Sequence, residues 1–373
     1  MSTNNKNFLF FVMGDSFGGL EMQTVKKAKD AVERGHNAIV ACTKSSRVEN
    51  YAKSLGLETE NININIKYID LFAAWRLSQI FKRHHIDICI VGSTKILSIA
   101  VYAKMLSKSK TAVFLFQHMQ SGINKKDFFH NYIYKNLDGA IVLTEQMKQM
   151  LLDTTIIDEK KIAIIPHGVD SDLFNPDKYN KIECRRKFNL PEDKFIIGYV
   201  ARIDRHKDQI TSIRALAEAK LENAILVFAG SIDDVYKDYY EELKSEIEKL
   251  SLSEKVIFLP FTDEVPALMN SFDIFAMPSR SETFGLVIIE AMAAGLPVIA
   301  VNSGGVPEII THNYNGFLFG QSNVKELAEY FRLLYKDENL RKQISENSLK
   351  IVAKNYDYKR QTDMFFEVCG KKI

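Results

Sequence analysis

Short apolar runs recur along this chain, separated by longer amphipathic segments. In the first half the runs are Phe8–Met13, Asn37–Cys42, Ile86–Val91, Ala112–Gln117 and Gly139–Leu143. Each is nearly continuous rather than alternating, the pattern of strands buried on both faces of a parallel sheet. Between them, Leu20–Arg34, Phe72–Arg83, Thr94–Leu106, Lys126–Asn136 and Glu145–Leu152 carry helical spacing. A second cycle begins near Lys194. Its strands are Phe195–Val200, Ala224–Ala229, Val256–Leu259, Ile274–Met277 and Pro297–Ala300. Its helices are Asp208–Leu221, Tyr236–Leu250, Val265–Asn270, Phe284–Ala294 and Val324–Tyr335. This alternation predicts an α/β fold of two doubly wound, Rossmann-like units.

The stretch Pro166–Pro191 contains Pro-His-Gly-Val-Asp and Asn-Pro-Asp and reads as a linker. From about Asp337 the chain is helical and charged. Near its end Met364, Phe365 and Val368 form an apolar stripe that must pack on something. The expected domains are 1–178, 179–355 and a last helix over 356–373.

At 373 residues the chain exceeds the size at which one core keeps growing. With 24 Phe and 15 Tyr it can bury far more apolar surface than a solvated chain would carry. Net charge is +2, unevenly placed: residues 1–180 carry 23 Lys and Arg against 18 Asp and Glu, and residues 181–373 carry 26 against 29. That imbalance is too small for a nucleic-acid-binding face. Cys42, Cys89, Cys184 and Cys369 are scattered without a CxxC pair, so neither a disulfide framework nor zinc is expected, and a reducing cytoplasm fits. The apolar run at Phe8 is too short for a signal-peptide core, and no stretch reaches the ~20 apolar residues of a membrane span. Any membrane contact is expected to be peripheral.

The chemistry concentrates in Pro278–Glu308, PSRSETFGLVIIEAMAAGLPVIAVNSGGVPE. Glu282 follows the strand Ile274–Met277, at the end where open α/β sheets place ligands. Thr283-Phe284-Gly285-Leu286 then opens a helix, whose free N–H groups suit a phosphate or sugar hydroxyls. Glu290 lies on the same side as Leu286 and Thr283. The two carboxylates can therefore frame one ligand and accept hydrogen bonds from paired hydroxyls. A capping acid at Glu282 and a satisfied half-buried Glu290 are the plain alternatives. After the strand Phe195–Val200 comes Ala-Arg202-Ile-Asp-Arg-His-Lys207, where Arg202 and Lys207 are spaced to hold one anion from two sides of a turn. Gly18-Gly19 after the first strand is not GxGxxG, so a nicotinamide site is not supported.

Taken together, Arg202-x4-Lys207 and Pro278-Ser279…Glu282-x7-Glu290 with Phe284-Gly285-Leu286 resemble the family 4 retaining glycosyltransferases of the GT-B fold. Gly18-Gly19, Pro166-His167-Gly168-Val169-Asp170 and Gly304-Gly305-Val306-Pro307-Glu308 extend the resemblance along nearly the whole chain. It implies two Rossmann-like domains facing each other across a cleft, with the C-terminal helix crossing back to the first. It implies that Arg202 and Lys207 neutralise the diphosphate of a nucleotide-sugar donor. By the same resemblance Glu290 binds ribose hydroxyls and Glu282 a hydroxyl of the transferred sugar. The backbone N–H groups of Phe284, Gly285 and Leu286 hold sugar and phosphate, with Thr283 beside them. Gly18-Gly19 lets the donor phosphates and acceptor approach the backbone, and His118 touches the sugar.

The sequence Asp170-Ser171-Asp172 looks like a metal-binding DxD, but it sits in the hinge, and two cations already serve the diphosphate. No metal or other cofactor is therefore expected. The resemblance further implies a hexosyltransferase acting on a lipopolysaccharide, lipid-linked or other cell-surface glycan. The expected donor is a UDP-sugar first and GDP-mannose second. The expected place is the cytoplasm, with peripheral contact on the inner membrane through Trp75-Arg76…Lys82-Arg83-His84-His85 and Asn124–Phe129. The competing readings are a GT-B nucleotide-sugar epimerase and a non-catalytic sugar-nucleotide-binding subunit.

Overall fold

The computed structural model describes residues 5–13, 18–64, 70–120 and 122–371. The chain divides into two compact units: Met1–Pro166 with Gln361–Ile373, and His167–Arg360.

In the first unit seven parallel strands form one sheet: β1 Asn7–Phe11, β2 Asn37–Cys42, β3 Glu58–Asn61, β4 Ile88–Val91, β5 Ala112–Phe116, β6 Gly139–Val142 and β7 Ile162–Ile164. Their order is β3-β2-β1-β4-β5-β6-β7, reversing direction between β1 and β4. Phe8 to Phe11 on β1 are fully buried, because helices cover both faces of the sheet. Each such phenylalanine contributes ~2–3 kcal/mol of apolar burial. The last helix, Tyr358–Gly370, joins this unit from Gln361 onward. Its buried stripe is Gln361, Thr362, Phe365 and Cys369, with Met364 and Val368 at the margins. The Phe365 ring meets Phe116 at 5.1 Å, and Phe366 meets Phe8 at 5.4 Å. Lys27 pairs with Asp30 at 3.0 Å and donates to the Thr362 hydroxyl at 2.5 Å.

In the second unit the sheet has six parallel strands: β8 Phe195–Val200, β9 Ala224–Ala229, β10 Val256–Leu259, β11 Ile274–Met277, β12 Val298–Val301 and β13 Phe317–Phe319. Their order is β10-β9-β8-β11-β12-β13, so the winding reverses between β8 and β11.

Two expectations change. The stretch Pro166–Pro191 is not a linker: it folds into helical turns and the helix Lys181–Lys187, and from His167 on it belongs to the second unit. Arg185 is the reason. Buried, it donates to the carbonyls of Ser271 at 3.0 Å and Glu192 at 2.6 Å and pairs with Asp273 at 2.7 Å. The first unit accordingly ends at Pro166 rather than at 178, and its C-terminal part starts at Gln361 rather than 356. Among the described residues, no helix is long and apolar enough to cross a membrane.

Candidate active site

β8 and β11 flank the reversal of strand order, and ligands of open α/β sheets bind beyond the carboxyl ends of such strands. The loop after β8 is shaped by Asp204, whose Oδ1 accepts the N–H groups of His206 at 2.8 Å and Lys207 at 3.2 Å. Tyr199, 1% exposed, ties this loop to the one after β11. Its phenol donates to the Lys207 carbonyl at 3.1 Å, so its oxygen accepts from the Ser279 hydroxyl at 2.8 Å. Burial raises the phenol's pKa well above its ordinary value, so it stays protonated as this geometry requires. A second tie runs from the Arg280 N–H to the His206 carbonyl at 2.8 Å.

These ties bring Lys207 and Glu282 together: the Lys207 ammonium lies 2.9 Å from Glu282 Oε2. Behind Glu282 stands the turn before the helix Val306–Ile309. The Gly305 N–H donates to the Glu282 carbonyl at 3.0 Å. Gly304 has φ +60°, and a Cβ there would stand 2.0 Å from that carbonyl oxygen. No residue but glycine fits at 304, which gives Gly304-Gly305 a structural cause.

The chain then passes Thr283 and Phe284 into the helix Leu286–Ala293, somewhat later than the predicted Phe284–Ala294. Phe284 points inward, its ring 5.5 Å from His167 and 6.0 Å from Tyr356, and so anchors the loop. Gly285 is the N-cap at φ 94°, and no side chain caps this helix. Its first N–H groups therefore remain for a ligand. Glu282 does not act as a cap. Glu290 shares the less buried side of the helix with Leu286 and Val287, while Ile288, Ile289, Ala291 and Met292 face the core. Arg202 lies in the same loop as Lys207, but its guanidinium reaches Asp204 and Asp233, each at 3.4 Å. Asp208, 1% exposed, holds Arg280 at 3.4 Å.

Tyr199, Asp204, Asp208 and Arg280 were not singled out from the sequence. Arg280 stands inside the segment PSRSETFG, and its charge was the one available signal.

In the first unit Gly18 is the N-cap of the helix Gly19–Glu33, and its N–H donates to Glu21 Oε2 at 2.9 Å. Residues 14–17, which lead into that turn, lie outside the described residues. His118 follows β5, 7% exposed, with its ring 4.0 Å from that of Phe116. Its Nε2 meets the Thr24 hydroxyl at 3.1 Å, and that hydroxyl gives its own proton to the Leu20 carbonyl at 2.9 Å. The imidazole is therefore the donor at Nε2. Burial, followed by the charge of Lys27, lowers its pKa to about 3, so it is neutral at pH 7. Asp170 of the DxD-like sequence accepts the N–H groups of Asp172 at 3.0 Å and Leu173 at 3.1 Å as a helix cap. Among the described residues no group of three His, Cys, Asp or Glu is placed to hold a metal.

Two family models match this chain: Glycosyltransferase Family 4 over residues 17–173 and Glycosyl transferases group 1 over residues 180–351. Over 224 residues it is 33% identical to the uncharacterized glycosyltransferase MJ1607 of Methanocaldococcus jannaschii, covering 59% of this chain and 56% of that protein. Over 179 residues it is 35% identical to the GDP-mannose-dependent α-(1-6)-phosphatidylinositol monomannoside mannosyltransferase of Mycobacterium tuberculosis, covering 45% of each. The chain thus spans about half the length of the curated relatives it matches. The crystal structure of Anabaena Alr3699/HepE in complex with UDP superposes with a TM-score of 0.86 at 21% identity, covering 98% of this chain and 100% of that one. At that identity the likeness speaks for the fold. With two matching family models in sequence along the chain and the doubly wound units in place, the chain belongs to the family 4 (group 1) glycosyltransferases and has their GT-B fold.

Proposed function

We propose that this protein is a retaining glycosyltransferase that moves a hexose from a nucleoside-diphosphate sugar to a lipid-linked, lipopolysaccharide or other cell-surface glycan. The observation that carries the reading is the corner formed by the Lys207–Glu282 pair, at 2.9 Å, and the uncapped start of the helix Leu286–Ala293. Breaking the anomeric bond develops negative charge on the leaving phosphate and positive charge on the sugar ring. Lys207, Arg202 and the N–H groups of Phe284, Gly285 and Leu286 serve the first. They are held before the reaction begins, so little reorganisation is needed when charge appears. Glu282 and Glu290 accept hydroxyls of the sugar and the ribose.

No side chain is assigned as a nucleophile. In the proposed front-face route a donor phosphate oxygen takes the acceptor proton. Losing one preorganised donor costs ~3 kcal/mol in barrier, or roughly two orders of magnitude in rate. His118, neutral, serves as a hydrogen-bonding group rather than an acid, and Gly18-Gly19 as a close-approach turn. The two cations neutralise the diphosphate without a metal, so full activity is expected in the presence of a chelator. We place the protein on the cytoplasmic side of the membrane, in peripheral contact with it.

Uridine diphosphate is the favoured donor nucleotide, in line with the UDP bound by Alr3699/HepE. The mycobacterial relative's dependence on GDP-mannose supports guanosine diphosphate as the second reading. A thermal-shift panel of nucleoside diphosphates and their sugars decides between them, since a bound donor raises stability by mass action. One base is expected to dominate, and Glu290→Ala to abolish its shift. An undiminished shift in that variant would remove the ribose assignment. Release of nucleoside diphosphate only when acceptor is present marks a transferase. An acceptor-independent product marks an epimerase, and binding without turnover marks a non-catalytic subunit.

A further inference from the structure

The corner of the second unit that holds Arg202 and Lys207 carries more carboxylates than cations. Glu282 sits on Lys207 at 2.9 Å, and Asp204 and Asp233 sit on Arg202 at 3.4 Å each. Among these five side chains one acid is in excess, at the place proposed for a diphosphate. Asp204 has a structural duty: its side chain is 2% exposed, and its Oδ1 shapes the turn by accepting the N–H groups of His206 and Lys207. Glu282 has a proposed role towards the sugar. Asp233, in the loop after β9, has neither. Its side chain does not cap the helical turn Asp234–Tyr236 that follows, where the Tyr236 N–H goes to the Asp233 backbone carbonyl at 2.8 Å.

Stability does not account for the Asp233 carboxylate either. Its contact with Arg202 is longer than the about 2.7–2.9 Å of a strong charge-assisted bond, and the two side chains are 43% and 48% exposed. Ion pairs of that kind add little to a fold. The two loops are fixed by other means. The Ile203 N–H donates to the Ser231 carbonyl at 2.9 Å, and the buried Gln209 donates its Nε2 to the Arg202 carbonyl at 2.8 Å. At Gly230 a Cβ would stand 2.1 Å from the Ala201 carbonyl oxygen, so the loops after β8 and β9 touch backbone to backbone. The acid is therefore held beside the guanidinium by a scaffold that does not need it.

A fixed negative charge at that place acts unequally on the two nucleotides of the proposed reaction. In a nucleoside-diphosphate sugar both phosphates are esterified, so each carries one charge. Cleavage of the anomeric bond turns the outer one into a terminal phosphate, with up to about one negative charge more at pH 7. The acid repels the product more than the donor, and it competes with either for the same guanidinium.

We infer that Asp233 is a specificity-determining residue that disfavours the released nucleoside diphosphate relative to the nucleotide sugar, and so limits product inhibition. The inference rests on the donor site proposed above.

The test titrates the preferred nucleoside diphosphate, its sugar and the parent nucleoside into wild type, Asp233→Asn and Glu338→Gln. Glu338 is an exposed acid paired with Lys342 at 2.8 Å, in a groove with Pro297 at the amino end of β12, so its loss changes net charge equally but at the other end of the sheet. Asp233→Asn is expected to bind the diphosphate roughly three- to fivefold more tightly, its sugar by a smaller factor and the nucleoside unchanged. In turnover the inhibition constant of the diphosphate should fall relative to the KM of the donor, and Glu338→Gln should move neither. A uniform change for all three ligands, no gain for the diphosphate, or the same graded gain in Glu338→Gln overturns the role of Asp233. If wild type binds the diphosphate no better than the nucleoside, the donor site itself is misplaced and the inference falls with it. A clear wild-type preference with a flat response in Asp233→Asn removes the inference alone.

Discussion

His118 shows how much one buried side chain fixes. With Thr24 committed to the Leu20 carbonyl, the imidazole carries a proton at Nε2, and burial keeps the ring neutral at pH 7. Its folded pKa of about 3 lies below the ordinary 6.5, so between those values the unfolded chain binds the extra proton. Stability therefore rises with pH through that window and is lost as pH falls from about 6.5 towards 3. Chemical denaturation across pH 4–6.5 should show this residue contributing a slope of up to ~1.4 kcal/mol per pH unit. His118→Gln should flatten it, and an unchanged slope would mean that the imidazole is not buried neutral. At this scale Lys207 and Glu282, which the structure pairs, stood out in the sequence, because charged residues just beyond an apolar strand add nothing to a core, whereas Gly304 entered only with the family resemblance. The sequence did not reveal Tyr199, Asp204 or Asp208. Tyr199 reads as one more core aromatic, and its bond to Ser279 joins residues far apart in the chain, which leaves no local spacing to detect.

Buried strands were legible as elements, because both of their faces are covered and their apolar runs are continuous. Edge strands were not. β3 is Glu-Thr-Glu-Asn, half-exposed at the sheet margin, and β7 is three residues long. The helix Leu71–Arg83 is clear from its spacing, but its outer face is unusual for a surface helix. Leu71, Phe72 and Trp75 are 62%, 60% and 51% exposed, with the two rings stacked at 5.9 Å, and Arg76, Lys82 and Arg83 share that exposure. Exposed aromatics beside basic residues suit an anionic bilayer surface, where each Lys or Arg adds ~1 kcal/mol. The protein should co-sediment with vesicles containing phosphatidylserine and much less with neutral ones. Replacing Phe72 and Trp75 by Ser should cut the bound fraction severalfold. Equal binding by that variant would remove this helix from the membrane proposal.

Two doubly wound units were foreseeable for the whole molecule, because the strand–helix alternation restarts near Lys194. The extent of each unit was not, since Arg185 recruits what looked like a linker and the last helix returns to the first core. Charge distinguishes the two halves of the sequence: residues 1–180 carry a basic excess, which in the proposed function suits an anionic acceptor and membrane surface, whereas residues 181–373 are net acidic. In the proposed function the donor's diphosphate is then held by a few placed cations and helix N–H groups rather than by a diffuse basic field. Isothermal titration of the preferred nucleoside diphosphate and its parent nucleoside, into wild type and Lys207→Met, tests this most directly. The diphosphate should bind wild type at least ~tenfold more tightly than the nucleoside, and Lys207→Met should lose most of that margin. Equal affinities of diphosphate and nucleoside for wild type, or an undiminished margin in Lys207→Met, would contradict the account.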